Sequence, residues 1–276
     1  MNKYILTLLI LTTIFCTSES LYSQKQKNPP DKINKNINLD SISENIKKTN
    51  SDGNYIINPA YRWNTIITKI RNGKISKQEA IDSIKIFLEN LSVYIEKKQY
   101  KIYKDTEWVF PVEGYDYTAI GGRNGSGYNP TGFDFFDTNS AGHPAQDIFI
   151  KDKNQDNIDD ISGKPVNILS MSSGIVIETR KNWTKEMNDI RGGNIVYVYD
   201  YFSNGLFYYA HLDKVFVNTG EYVIPGKILG TMGRTGKNAF PSRSPTHLHI
   251  MYLFSDNGNL IPDNIYKDLI KAKTLP

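Results

Sequence analysis

The order of apolar and polar positions divides the chain into stretches of different texture. An apolar run from Tyr4 to Cys16 follows Lys3, with Ile5 to Leu11 at its heart. A positive start, a short apolar stretch and then small polar residues have the form of a secretory signal, and the run is shorter than a bilayer-spanning helix needs. Cleavage is expected near Ser23–Gln24, so that residues 1–23 act as the export signal. Cys16 also sits at the depth of a bacterial lipidation site. Phe15, however, stands where such signals resemble a small residue, so ordinary cleavage is preferred. Residues 24–54 are rich in Lys, Asn, Ser and Asp and read as a linker.

Periodicity becomes helical after Pro59. Trp63, Ile66, Ile67 and Ile70 fall at i, i+3, i+4 and i+7, and Asn72-Gly73 supplies a stop. Ser76 and Glu79 have capping-box spacing, and Ile81, Ile84, Leu88, Leu91 and Ile95 then form one apolar stripe. Residues 55–107 are thus predicted to hold a helical hairpin. It is too small for a large core of its own and is expected to dock on the C-terminal part of the chain.

Beyond Trp108 the pattern breaks into short apolar runs separated by Gly, Asn and Pro. Val166–Met171, Gly174–Thr179, Asn194–Tyr201, Gly205–His211, Glu221–Ile224 and His247–Phe254 are predicted strands, with Asn204-Gly205 as a hairpin turn. Asn259 to Lys273 is expected to close with a short helix. The fold class is therefore mainly β: an antiparallel sheet or sandwich over residues 108–276, preceded by a small α-helical hairpin.

Composition narrows the chemistry. The 276 residues include one Cys and four His. One Cys excludes a disulfide framework and Cys-rich zinc modules. The net charge of +4 divides into +6 over the first 107 residues and −2 over the rest. That is too little to indicate nucleic acid, though a basic face would suit an anionic surface such as a cell wall.

All four histidines, His143, His211, His247 and His249, lie in the β-rich part. On a strand, His247 and His249 point to the same face, leaving Leu248 and Ile250 for the core. Two His with one Asp would make a three-ligand zinc site with an open fourth position, and the other two His would remain for acid–base work.

The motifs are more specific than their residue types. Gly121-Gly122-Arg123, His143-x-x-x-Asp147, Gly163-Lys164-Pro165-Val166, Gly174-Ile175-Val176, Tyr209-Ala210-His211-Leu212, Val223 to Gly230, Gly233-Arg234-Thr235-Gly236 and His247-Leu248-His249 succeed one another in order. In this the stretch from about Ile120 to Leu253 resembles the lysostaphin/LytM-type zinc metalloendopeptidases, which cut peptide bonds of peptidoglycan. The resemblance implies that His143, Asp147 and His249 bind zinc and that His211 and His247 are the paired catalytic histidines; which of these two is the base stays open. It implies an antiparallel β core spanning 120–254, an exported periplasmic or extracellular enzyme, and peptidoglycan or a peptide as partner. Ala145 stands where the family usually has Gly, Ile250-Met251 where an aromatic and Glu often come next, and Ala239–Ser244 is longer than usual.

Two other readings accompany this one. Asp152-x-Asn154-x-Asp156 resembles a calcium loop, so Ca2+ between Asp152 and Asp160 is an expectation, although Gly163 stands where a closing carboxylate belongs. The alternatives to a cell-wall endopeptidase are a non-catalytic regulator of other cell-wall hydrolases and a zinc protease acting on Gly-rich proteins.

Overall fold

The computed structural model describes residues 57–240 and 244–276. The expected signal, Cys16 and the linker lie outside the described residues. Among the described residues no helix is long and apolar enough to cross a membrane.

Asn58–Pro276 forms one compact unit. It begins with a 3-10 turn, Pro59–Arg62, that runs into helix α1 (Trp63–Arg71). Gly73, at φ +59°, ends the turn after α1, a conformation that costs glycine nothing. Helix α2 (Lys77–Lys97) starts at the predicted capping box: Ser76 Oγ accepts from the Glu79 amide at 3.2 Å, and Glu79 accepts from the Ser76 amide at 2.7 Å. Its inward stripe is Ile84, Leu88, Leu91 and Ile95, widened by Ala80, Phe87 and Tyr94. Ile81 and Ile66 are only half-buried, because each lies at the edge of its stripe.

Among the described residues the β part holds ten strands: β1 (Gln146–Phe149), β2 (Asn167–Leu169), β3 (Gly174–Arg180), β4 (Asn194–Asp200), β5 (Gly205–Leu212), β6 (Lys214–Val215), β7 (Tyr222–Val223), β8 (Ile228–Thr231), β9 (His247–Asp256) and β10 (Asn259–Asp263). Seven form a sheet in the order β1-β9-β5-β4-β3-β7, with β10 also paired to β9; β2-β8-β6 form a second sheet. Every ladder is antiparallel. The core between and beneath them includes Phe110, Ile148, Ile168, Val196, Val198, Phe207, Tyr209, Leu248 and Ile250, all essentially inaccessible. Tyr209 Oη accepts the Met171 amide at 2.8 Å, so its polar end is satisfied inside this core.

Four strands fall outside the sequence-predicted set. β1, β6 and β8 have two to four residues, too few to show a period, and Gln146 and Asp147 break any apolar run in β1. The stretch from Asn259 was expected to end in a helix. That helix, α3 (Tyr266–Lys271), forms, but Asn259–Asp263 first returns as β10 through a turn at Asn257 (φ +50°) and Gly258 (φ +90°). A Cβ on Gly258 would stand 2.2 Å from the Ile81 carbonyl, so this turn can approach α2 only as glycine.

The hairpin is fastened to the sheet. Trp63 is fully buried and its Nε1–H donates to Glu178 of β3 at 2.9 Å. Its indole lies 6.3 Å from the Tyr197 ring and 6.2 Å from that of Phe135. Asn58 Nδ2 donates to the Gly220 carbonyl, and Lys77 pairs with Asp134 at 2.7 Å.

Candidate metal centre

β1 and β9 run side by side with Asp147 opposite His249 and Phe149 opposite His247. That register places one carboxylate and two imidazoles on a common face, while Leu248 and Ile250 go into the core. His143, just before β1, is fixed by a two-way backbone bridge to Asn129. His143 Nε2 lies 3.2 Å from Asp147 Oδ2, and His249 Nδ1 lies 3.1 Å from Asp147 Oδ1. The potential ligand atoms of His143, Asp147 and His249 all fall within 4.8 Å of one another; among the described residues no other group of three His, Cys, Asp or Glu converges in this way.

His211 arrives by a less regular route. Asn194 pairs with Leu212 and Val196 with Tyr209, so β5 carries one residue more than β4 between these pairs. Such a bulge bends the strand and redirects a side chain. His211 takes up the strain at φ +67°, unusual for a residue with a Cβ. Its ring then lies 5.0 Å from that of His247 and 5.6 Å from that of His249, centroid to centroid. All four histidines therefore meet at one site.

Backbone carbonyls fix the orientation of three of these rings. The Nδ1–H of His143 donates to Gly127 (2.9 Å), that of His211 to Thr235 (2.7 Å) and that of His247 to Pro245 (2.7 Å). A carbonyl can only accept, so in each ring the proton sits on Nδ1 and Nε2 keeps its lone pair. His249 differs, because its Nδ1 is the atom turned to Asp147.

The electrostatics separate the groups. Burial alone would raise the pKa of Asp147, but hydrogen bonds with His143 and His249 outweigh it and hold the carboxyl well below the usual carboxylate range. The hydrogen bond with Asp147 raises the pKa of His143. Burial lowers that of His211, and the neighbouring His247 and His249 lower it further. His247 is likewise lowered by burial, against the pull of Asp147 3.8 Å away. His211 and His247 are therefore neutral bases at neutral pH.

Several supporting residues carried no role in the sequence reading. The Gly233-Arg234-Thr235-Gly236 motif is one signal that could have found them. Besides its carbonyl on His211, Thr235 uses its Oγ1 to accept the Asn194 amide and to donate to the Leu212 carbonyl. Gly236, at φ +97°, passes so close to Gly193 that a Cβ would lie 2.4 Å from the Gly193 amide nitrogen.

The acidic stretch Asp152–Asp160 departs from the calcium expectation. Asp152 accepts the amides of Asp156 and Asn157 and the Thr246 hydroxyl. Asp156 accepts from Ile158 and Asn154, Asp159 from Ser162 and Tyr115, and Asp160 from Lys153. The carboxylates thus serve as turn acceptors, and no support remains for Ca2+ here. Asp152 instead ties this loop to Thr246, the residue before His247. Of the long Ala239–Ser244 stretch, residues 241–243 lie outside the described residues.

Residues 157–260 match the family model described as Peptidase family M23. The match overlaps the stretch whose motifs resemble the lysostaphin/LytM-type peptidases. No curated protein matches the chain. Among solved structures it is similar to lysostaphin from Staphylococcus simulans, at 21% identity and TM-score 0.36, over 59% of this chain and 55% of that one. A zinc containing peptidase from Vibrio cholerae aligns at 22% and 0.37, over 62% and 41%. A putative glycyl-glycine endopeptidase lytM from Ruminococcus gnavus aligns at 18% and 0.41, over 79% and 91%. The chain spans about half the length of the first two.

Proposed function

We propose that this protein is an exported zinc-dependent endopeptidase that hydrolyses peptide bonds in peptidoglycan stem peptides or cross-links, with residues 1–23 as its signal. The observation that carries the reading is the convergence of His143, Asp147 and His249 beside two buried, neutral histidines. The donor set fits zinc. Two imidazole nitrogens and a carboxylate are borderline ligands of the kind zinc takes, and the His143 Nδ1–H bond to Gly127 frees Nε2 for the metal.

Zinc bound there supplies Lewis-acid polarisation of water and of a substrate carbonyl. The protein's own residues do the rest. Asp147, kept ionised by its two histidines, offsets part of the metal's charge. His211 and His247 present unprotonated Nε2 atoms towards the same face, so either can take a proton from the attacking water. The imidazolium so formed donates to the oxyanion or to the leaving amine. Burial of both rings favours giving the proton up again, which returns them to the neutral state.

The test is digestion of purified peptidoglycan with the full chain, with and without chelator, together with metal analysis. Release of new amino termini that stops on chelation and returns with zinc is expected. Bound zinc without any release would favour the regulator reading, and cleavage of Gly-rich proteins alone would favour the other protease reading.

A further inference from the structure

The four histidines open into a cavity of about 560 Å3 whose walls also include Ile67, Ile70 and Arg71 of α1 and the loop from Phe133 to Gly142. Most charged side chains lining it are committed. Asp147 is held by His143 and His249, Asp134 by Lys77, and Arg71 stands 3.7 Å from Glu178. Asp137 accepts the Asn139 amide within its own loop. Of the two cations on the wall, Arg191 is the one that pairs with no carboxylate among the described residues, and its guanidinium donates once, from Nη1 to the Ser140 carbonyl at 3.1 Å.

The base of Arg191 is rigidly placed. Arg180 donates to the Arg191 carbonyl at 2.8 Å and to the Gly193 carbonyl at 2.6 Å. Between them, the Gly192 carbonyl accepts the His211 amide at 2.9 Å. The exposed cation is therefore one residue from the backbone anchor of a proposed catalytic histidine. A guanidinium has five donors in a planar fork that matches a carboxylate, and all but one here are open.

We propose that Arg191 is a specificity-determining residue that makes this cleft prefer peptides bearing a free carboxylate close to the bond held at the metal centre. The inference rests on the endopeptidase reading of the site. The carboxylate would meet the guanidinium in a charge-assisted pair at the rim, where solvent weakens but does not remove the attraction.

The experiment uses the zinc-loaded full chain and fluorescein-labelled pentaglycine peptides flanked by Glu on either side, with their Gln counterparts. Affinity is read by fluorescence anisotropy at low ionic strength, and hydrolysis is monitored in the same samples. The wild type is expected to bind the Glu peptide about tenfold more tightly than the Gln peptide. Arg191→Gln should bring the two to within about twofold, and Arg191→Lys should keep part of the preference. Equal affinity of the wild type for both peptides, binding of neither, or an equal loss for both in Arg191→Gln would overturn the proposal. Absence of hydrolysis of these peptides and of peptidoglycan counts against the endopeptidase reading alone, because the ratio of affinities does not depend on turnover.

Discussion

The Nδ1 of His211 lies 2.7 Å from the carbonyl oxygen of Thr235, which is possible only with the proton on that nitrogen. A residue at positive φ on a bulged strand is thereby held in one tautomer, with its basic nitrogen turned to the site. The strain at φ +67° is offset by this bond and by the His211 amide bond to Gly192. On the proposed function the centre holds two kinds of histidine, those that would hold a metal and those that would move protons.

That separation is testable by substitution. His249→Ala should lose both zinc and activity. His211→Ala should keep stoichiometric zinc and lose about 10²- to 10⁴-fold in kcat, the range for removal of an acid–base group. Metal analysis beside peptide-release rates decides. Zinc loss in His211→Ala would move that residue into the ligand set.

Thr235 gives a second prediction. Thr235→Val keeps the carbonyl and the side-chain shape but deprives the buried Asn194 amide and Leu212 carbonyl of a partner. A loss of about 2 kcal/mol in denaturant unfolding is expected, chiefly from the Asn194 amide left unpaired in the interior, since the Leu212 carbonyl keeps its bond from Asn194 Nδ2. A fall in kcat with zinc content intact should accompany it, because this turn sets the path of the carbonyl on His211. Wild-type stability would show that these two bonds contribute little.

The role of Asp152 as an anchor rather than a calcium ligand has its own test. Asp152→Ala removes the acceptor of two amides and the Thr246 hydroxyl, and should lower stability by about 2–3 kcal/mol. Millimolar calcium should leave the melting temperature of the wild type where it is. A calcium-dependent rise would restore the discarded reading.

Asp200 predicts a pH dependence. It is fully inaccessible at the end of β4, and burial pushes its pKa up to about 6, from 3.8, despite the Ser203 hydroxyl bond that opposes this. Between those two values the folded state binds more protons than the unfolded one, so stability falls as pH rises through the window and the loss is complete above it. At 1.36 kcal/mol per unit the loss approaches about 3 kcal/mol. Asp200→Asn should therefore melt higher than wild type at pH 8 but not at pH 4. An equal gain at both values would trace the effect to packing instead.

Much of this was legible in the sequence where a period was long enough to read. The i, i+3, i+4 stripes of α1 and α2 bury their predicted residues apart from Ile66 and Ile81 at the stripe edges, and the alternation across His247-Leu248-His249-Ile250 puts Leu248 and Ile250 in the core. β1 was not legible, because its four residues combine the fully buried Gln146 with Asp147 at the centre, and neither belongs to an apolar alternation. Nor was the bulge at His211, since an extra residue in one strand is defined only against its partner. The acidic loop misled for a related reason. Alternate Asp and Asn side chains suit a calcium loop and a series of Asx turns equally, and only the directions of the amides separate the two.

At three positions the acceptor that fixes a histidine belongs to the main chain: Gly127, Thr235 and Pro245. Every amino acid brings the same carbonyl, so replacing the side chain there does not by itself delete the bond. The tautomers are thus insulated from ordinary sequence drift and exposed to a different hazard, the insertion or deletion of a residue that shifts the loop. Divergent chains of this kind can therefore lose most of their identity and keep the proton on the same nitrogen, provided that these loops keep their length.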